Sequence, residues 1–352
     1  MKKKDANAYN VALYRKYRPE NFEEVIGQEH IVKVLKNAIA GGSVAHAYLL
    51  TGSRGTGKTT VARIIARELG TSNNDIYEMD AASNRGIDNI RELREGVSTL
   101  PFESKYKVYI IDEVHMLTKE SFNSLLKTLE EPPAHVVFIL ATTDLDKVPD
   151  TIVSRCQTFE FKKPTVATLR EVVLETSKKE GAKLDQGAAE LVALLGDGSF
   201  RDTLSILQKV ISYSVDKNIS RREIESVTGT PSTETVNNLL RALTERDIDS
   251  ALQEVKKVAG SGGDMKVFLK LLIHHLRLTL LLRYAPELSK EIDAEISEVD
   301  KAFLQTLVKD KTGMISSRTL SALLDAYQRT RTGTFFISSL PLELVLIELM
   351  AE

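Results

Sequence analysis

Gly52-Ser53-Arg54-Gly55-Thr56-Gly57-Lys58-Thr59 is the stretch on which the fold turns. It fits the pattern G-x-x-x-x-G-K-[ST] in full. The apolar run Ala47-Tyr48-Leu49-Leu50 precedes it and the helical stretch Val61 to Leu69 follows. The octet therefore joins a strand to a helix, which is where a phosphate loop has to lie. Its glycines let the backbone curl until successive N–H groups face phosphate oxygens. The helix behind offers its positive N-terminal end to the same anion. Lys58 has the reach for β- and γ-phosphates, and the Thr59 hydroxyl suits magnesium. Gly52 through Thr60, with Ser53, Arg54, Gly55, Thr56 and Gly57 between, is the expected phosphate-binding stretch.

Two further apolar runs lie downstream, Lys107-Val108-Tyr109-Ile110-Ile111 and Val136-Val137-Phe138-Ile139-Leu140. Both are rich in β-branched residues and are separated by helical patterns. This predicts a parallel sheet covered by helices on both faces, an α/β domain. In such a sheet ligands gather at the carboxyl ends of strands. The first run leads directly into Asp112-Glu113, so Asp112 is expected to share the magnesium with Thr59. Glu113 is expected to orient and activate the attacking water. The second run ends in Ala141-Thr142-Thr143. A hydroxyl there could touch the γ-phosphate or the water; Thr143 is the choice and Thr142 the other candidate. The helix from Glu120 to Glu131 carries Phe122, Leu125, Leu126 and Leu129 at helical spacing, a core face, and stops at Pro132-Pro133.

Beyond Pro164 no comparable strand signal remains, and helical patterns run to the end with a break at Thr228-Gly229-Thr230-Pro231. The expected organisation is an α/β nucleotide-binding domain over 1–163, an all-α lid over 164–229 and an all-α collar over 230–352. Ser154-Arg155-Cys156 follows the third strand run. From its residues alone Arg155 suits a surface ion pair as well as a catalytic arginine. Gly198-Ser199-Phe200-Arg201-Asp202 places Arg201 at a helix start, from which it could reach back to the nucleotide.

Composition sets outer limits. The 352 residues carry 47 Lys+Arg against 49 Asp+Glu, so no overall excess of positive charge marks an obligate polyanion binder. A local basic patch is compatible with that balance. The single cysteine, Cys156, rules out an internal disulfide or a multi-thiolate metal site. His115 has no histidine or cysteine partner at ligand spacing and is expected to be structural. The start, MKKKDANAYN, has basic residues but no apolar core after them, so no signal peptide is expected there. Val267 to Leu282 is interrupted by Lys270, His274, His275 and Arg277, which argues against a membrane span.

Taken in order, these motifs resemble those of the AAA+ clamp loaders. Long stretches are similar to the gamma/tau family of bacterial DNA polymerase III in particular. Those stretches are Tyr17-Arg18-Pro19, the run Phe22 to His30, Asp80-Ala81-Ala82-Ser83, Ile111 to Leu117, and Ser124-Leu125-Leu126-Lys127-Thr128-Leu129-Glu130-Glu131-Pro132-Pro133-Ala134-His135. The resemblance is close from about Tyr9 to Asp202 and only architectural beyond Pro231. It implies an AAA+ core, a lid and a ring-forming collar in a cytoplasmic ATPase. That ATPase would use ATP and Mg2+ to open a sliding clamp and place it on primer–template DNA. The implied partners are the delta and delta-prime subunits, further gamma/tau copies, the clamp and the DNA, with no membrane. By motif, Arg155 is implied to be an arginine finger on a neighbour's ATP and Arg201 a second sensor. Tyr14, Arg18, Pro19 and Ile26 are implied to line the adenine pocket. Ser83, Asn84, Arg85, Arg91 and Arg94 are implied candidates for contact with DNA phosphates.

One departure concerns metal. The family usually carries a four-cysteine zinc module after the phosphate-loop helix. Here Leu69 is followed only by Gly70-Thr71-Ser72-Asn73-Asn74-Asp75 before Ile76, so no zinc is expected. Nor does anything after the apolar Leu344-Val345-Leu346-Ile347 resemble the long tail of tau forms. Three alternatives stand beside this reading: a small clamp-loader subunit of the archaeal or eukaryotic type, a non-hydrolysing scaffold like delta-prime, and a branch-migration motor. Intact Lys58, Thr59, Asp112 and Glu113 argue against the scaffold. The Leu-Leu-Lys-Thr-Leu-Glu-Glu-Pro-Pro run favours the bacterial family.

Overall fold

The structure, a computed structural model, describes residues 11–285, 287, 298–333 and 336–351. Two compact units divide the chain. One is formed within Met1–Leu169 and Gly196–Ser205, the other within Arg170–Leu195 and Ile206–Glu352.

The first unit is built on five parallel strands: β1 (Ala47–Thr51), β2 (Ile76–Asp80), β3 (Lys107–Asp112), β4 (Val136–Thr142) and β5 (Gln157–Glu160), in the order β2-β3-β4-β1-β5. The three strands expected from the sequence are the central ones, buried along almost their whole length. Their side chains alternate between two cores, as strand geometry requires. Leu49, Tyr109, Ile111, Phe138 and Leu140 enter one core; Tyr48, Leu50, Val108, Ile110, Val137 and Ile139 enter the other. Burial on both faces is why these strands read as unbroken apolar runs. β2 and β5 close the two edges, and their partly exposed residues carry no such signal.

Helices α1 (Leu13–Lys16), α2 (Glu29–Ala40), α3 (Lys58–Glu68), α4 (Ile87–Val97), α5 (Lys119–Glu130) and α6 (Asp150–Val153) complete most of this unit. α2 and α3 supply Ile31, Leu35, Val61 and Ile65 to one core; α4 and α5 supply Ile90, Phe122, Leu125 and Leu129 to the other. Thr118 caps α5 by accepting the Ser121 N–H. α7 (Val166–Lys179) crosses from one unit to the other, as does α9 (Phe200–Tyr213), whose first turn belongs to the first unit.

Among its described residues the second unit is helical apart from two two-residue strands, β6 (Lys183–Leu184) and β7 (Asn218–Ile219), which pair in parallel. It holds α8 (Gln186–Leu195), α10 (Arg221–Thr228), α11 (Thr233–Glu245), α12 (Ile248–Gly260), α13 (Met265–Tyr284), α14 (Glu298–Val308), α15 (Ser317–Thr332) and α16 (Leu340–Ala351). α11 packs on α12, α13 on α14 and α15, and α16 on α12 and α15. α10 begins with a reciprocal capping box between Ser220 and Glu223 and ends at Gly229 with φ 69°. That ending is the break read in the sequence. Among the described residues no helix is long and apolar enough to cross a membrane.

The short link between α3 and β2 is tied down by one carboxylate. Asp75 is fully buried and accepts the backbone N–H groups of Phe102, Glu103 and Ser104 from the loop before β3. Ser104 in turn accepts the Ser72 N–H at 2.7 Å. Burial pushes the Asp75 carboxyl up, but the donated hydrogen bonds outweigh it and hold its pKa down at about 2. Asp75→Asn is expected to lower unfolding stability by about 1–3 kcal/mol, the cost of under-satisfied buried donors. A carboxylate with a depressed folded-state pKa contributes fully above its unfolded value. The contribution is lost as pH falls through the folded one. The wild-type advantage in urea melts should therefore hold at neutral pH and fade as pH is lowered from about 3.8 toward about 2.

Candidate nucleotide site

Gly52, Gly55 and Gly57 have φ of 133°, 75° and 105°, a left-handed backbone that side-chain-bearing residues adopt at a cost. For two of them space is decisive as well. A Cβ on Gly52 would lie 2.5 Å from the Phe161 carbonyl oxygen, and one on Gly55 1.9 Å from Ser199 Oγ. The Gly55 carbonyl accepts the Phe200 N–H at 3.0 Å, so the loop is bonded to the first turn of α9. Thr56 Oγ1 donates to the Ser53 carbonyl at 2.9 Å across the loop. Lys58 is buried at the head of α3, and its Nζ donates to the Gly52 and Ser53 carbonyls at 2.7 and 2.9 Å. Burial pushes the Lys58 pKa down, while Glu113 and Asp112 work the other way. Arg54 is exposed; Thr59 and Thr60 are half-buried.

The acidic pair stands at the end of β3. Thr59 Oγ1 donates to Asp112 Oδ2 at 2.7 Å, which brings together the two expected magnesium ligands. Glu113 has φ 49°, a conformation in which a non-glycine residue is uncommon, at the point where the chain turns off the sheet. Its N–H donates to Asp112 Oδ1 at 2.9 Å, and its Oε2 accepts the Thr143 hydroxyl at 2.8 Å. Thr142 is fully buried; its hydroxyl is engaged with the Asp144 backbone and with His115 Nδ1. Of the two threonines only Thr143 reaches the acidic pair through a hydrogen bond. The residue that sequence reasoning set aside is His115. Its position two places after Glu113 was a signal, because the intervening turn directs the ring back.

Arg201 lies exposed in the first turn of α9, with its guanidinium carbon 5.0 Å from the Tyr14 ring centre. The Tyr14 pKa is lowered chiefly by its hydrogen bond with Arg15, with Arg201 adding in the same direction. Arg18 is half-buried, and burial lowers its pKa, with Arg63 adding to the fall and Glu78 opposing. Pro19 is half-buried and Ile26 exposed. Gln28 holds this N-terminal segment to the chain leaving β5. Its side chain donates to the Lys162 carbonyl and accepts the Lys162 N–H, at 2.8 and 3.2 Å. Arg155 is placed apart from this constellation. Its Nη2 pairs with Glu130 Oε1 at 2.5 Å and its Nη1 donates to the Thr151 carbonyl at 2.7 Å. Of the candidates for contact with DNA phosphates, Ser83, Arg85, Arg91 and Arg94 are exposed, and Asn84 is half-buried. Cys156 packs against the core, and burial pushes its thiol up to about 12.

The residues present fit a magnesium-bound nucleotide. The loop is a glycine cradle headed by a helix N-terminus, with a buried lysine. Ser53 Oγ is buried without a hydrogen-bond partner among the described residues. Thr59 and Asp112 are hard oxygen donors of the kind magnesium takes in small number, the rest of its shell being phosphate and water. Among the described residues no three His, Cys, Asp or Glu side chains gather to hold a metal alone.

A parallel sheet of order β2-β3-β4-β1-β5 with a phosphate-loop motif after β1 and an acidic pair after β3 has the architecture of a P-loop domain of the AAA+ type. A solved structure with this fold is RuvB of Thermotoga maritima, described as a Holliday junction branch migration motor. It is 22% identical with a TM-score of 0.52, covering 73% of this chain and 91% of that one. Relatives in sequence decide the branch. DNA polymerase III subunit gamma of Buchnera aphidicola is 36% identical over 301 residues, covering 80% of this chain and 83% of that protein. DNA polymerase III subunit tau of Bacillus subtilis is 38% identical over 340 residues, which is 91% of this chain and 59% of that one. The family profile for "DNA polymerase III subunits gamma and tau domain III" matches residues 219–351, and that for "DNA polymerase III, delta subunit" matches 27–86 and 72–165. The chain belongs to the DNA polymerase III gamma/tau family. It spans less than two thirds of the length of the first curated relatives it matches.

Lys58→Ala removes the one buried cation at the loop. It is expected to weaken binding of a fluorescent ATP analogue by at least about tenfold, or about 1.4 kcal/mol, with the fold retained by circular dichroism. Near-normal affinity would show that Lys58 does not serve the phosphates.

Proposed function

We propose that this chain is the ATP-binding and ATP-hydrolysing motor subunit of a bacterial clamp loader, which opens a sliding clamp and places it on primer–template DNA. The observation that carries the reading is the pair of side-chain bonds at neighbouring strand ends, Thr59 to Asp112 and Glu113 to Thr143. The match of residues 219–351 to a domain of gamma and tau subunits supports the clamp-loader context. So does the name of the Buchnera relative.

In this reading Gly52–Thr60 binds the phosphates through backbone N–H groups, and Lys58 leaves its loop carbonyls for the β- and γ-phosphate oxygens. Thr59 and Asp112 would hold magnesium, which when bound would supply screening of phosphate charge. Glu113 accepts a hydrogen bond from the attacking water and aligns it with the γ-phosphorus. Thr143, bonded to Glu113, fixes that carboxylate and senses the γ-phosphate. Tyr14, Arg18, Pro19 and Ile26 form the adenine side, and Arg201 reports the nucleotide. Arg155 exchanges Glu130 for the γ-phosphate of a neighbouring subunit, so hydrolysis depends on assembly. Residues 164–229 serve as lid and 230–352 as collar. The partners are delta, delta-prime, further gamma/tau copies, the clamp and primed DNA, in the cytoplasm. With the thiolate-bearing module missing between Leu69 and Ile76, the chain takes no zinc.

The test is steady-state ATP hydrolysis by the assembled complex, with and without clamp and primed DNA. Glu113→Gln should bind ATP normally and lose roughly 10²–10⁴-fold in turnover, the range of a positioned acid–base group. Unchanged turnover would remove Glu113 from the chemistry. Arg155→Ala should bind ATP and assemble, yet lose stimulated hydrolysis by roughly 10³–10⁵-fold. In rings mixed from Arg155→Ala and Lys58→Ala subunits, activity should return only where an intact Arg155 meets an intact ATP site. Full stimulated turnover from a verified monomer would refute a finger acting across subunits.

A further inference from the structure

We infer that His115 is a positioning residue for Glu113, holding its carboxylate in the orientation that water attack requires. The inference rests on the role proposed above for Glu113. His115 lies in the short 3-10 turn Val114–Met116 that opens directly after Glu113, and its side chain is only 10% exposed. The left-handed backbone at Glu113 turns the chain so sharply that the imidazole of residue 115 comes back over the carboxylate of residue 113. Its Nδ1 stands 3.4 Å from Glu113 Oε2 and 2.9 Å from Thr142 Oγ1.

The hydrogen bonds at this spot form a closed account. Thr142 Oγ1 accepts the Asp144 N–H at 3.0 Å and faces the Asp144 carbonyl at 3.0 Å, to which it can donate. With its hydrogen directed there, the Thr142 hydroxyl meets the imidazole as an acceptor. Nδ1 then carries the hydrogen and donates it to Thr142, which sets the positive edge of the ring beside Glu113 Oε2 at 3.4 Å. Glu113 Oε2 thus accepts the Thr143 hydroxyl and has the Nδ1 edge of the His115 ring 3.4 Å away. A carboxylate on three rotatable bonds held by one hydroxyl can pivot; a positive ring edge packed beside the same oxygen narrows that motion. The other donors at the site act elsewhere. Lys58 is turned into its own loop, Thr59 is bound to Asp112, and the Lys147 ammonium pairs with the Asp144 carboxylate. Among the described residues no hydrogen bond or ion pair joins His115 to the loop or to Lys58, so its loss should alter turnover and leave nucleotide binding intact.

The experiment compares His115→Ala, His115→Asn and His115→Gln in the full chain, assembled with its partner subunits. It measures kcat, KM, affinity for a non-hydrolysed ATP analogue, and melting temperature. An asparagine amide reaches the place of Nδ1; a glutamine amide extends to that of Nε2. His115→Ala should lower kcat by about 10²-fold, the scale of a misplaced reacting group, with analogue affinity within about twofold of wild type. His115→Asn should recover most of the loss and His115→Gln little of it. In a Glu113→Gln background His115→Ala should have no further effect, because both changes disable one unit. Equal activity of Asn and Gln variants, or losses that multiply with Glu113→Gln, would overturn the inference. So would a fall in analogue affinity that matches the fall in kcat. Should the Ala variant melt below assay temperature, the Asn–Gln comparison alone decides. If Glu113→Gln itself turns over normally, the functional reading fails first. If it is inactive while all three His115 variants are fully active, only the role of His115 fails.

Discussion

The parallel pairing of β4 between β1 and β3 is the constraint on which the site depends. Thr51 stands opposite Thr142 and Ile111 opposite Leu140, so three chain exits leave the sheet at one level. Phosphate loop, acidic pair and threonine pair are far apart in sequence and meet only because of that register. Side chains alternate along a strand, so a slip of one residue would exchange the two cores and turn Asp112 away from Thr59. The two cores prevent it. Phe138 on one face and Ile139 on the other are both fully buried, and neither face can accept its neighbour's set without loss.

Much of this was legible because it is local or apolar. β1, β3 and β4 showed themselves as unbroken apolar runs, and the loop and acidic pair as motifs at their ends. The helix stop at Gly229 showed itself too, since a left-handed residue there favours glycine. β2 and β5 did not, because an edge strand such as Ile76–Asp80 leaves residues in water and mixes polar with apolar. The approach of Ser199 and Phe200 to Gly55 was hidden for another reason. It joins residues far apart in the chain, and nothing local announces which glycine must stay bare for a neighbour's sake. His115 was not legible as part of the site, since no histidine or cysteine stands at ligand spacing from it and the ring's partners are a carboxylate and a hydroxyl.

Four of the candidate site residues share one habit: each is already engaged within the chain. Lys58 rests on loop carbonyls, Thr59 on Asp112, Thr143 on Glu113, and Arg155 on Glu130. A ligand that calls on these four must exchange bonds rather than add them. The net gain of one exchanged hydrogen bond is modest, of order 1 kcal/mol. Discrimination therefore comes from exchanging several together, which favours a ligand with phosphate oxygens at the right spacing over one with a single anionic group. The Arg155–Glu130 pair is partly exposed, and surface ion pairs contribute little. That makes it easy to give up to a stronger anion.

The clip formed by Asp75 has a consequence of another kind. A cross-link of thiolates around a metal is only as durable as the supply of that metal and the reducing power around it. A carboxylate receiving three main-chain N–H groups asks for neither. The corner between α3 and the loop before β3 is thus closed by a bond that oxidants cannot break and chelators cannot strip. The bond itself forms as soon as folding brings Asp75 against residues 102–104.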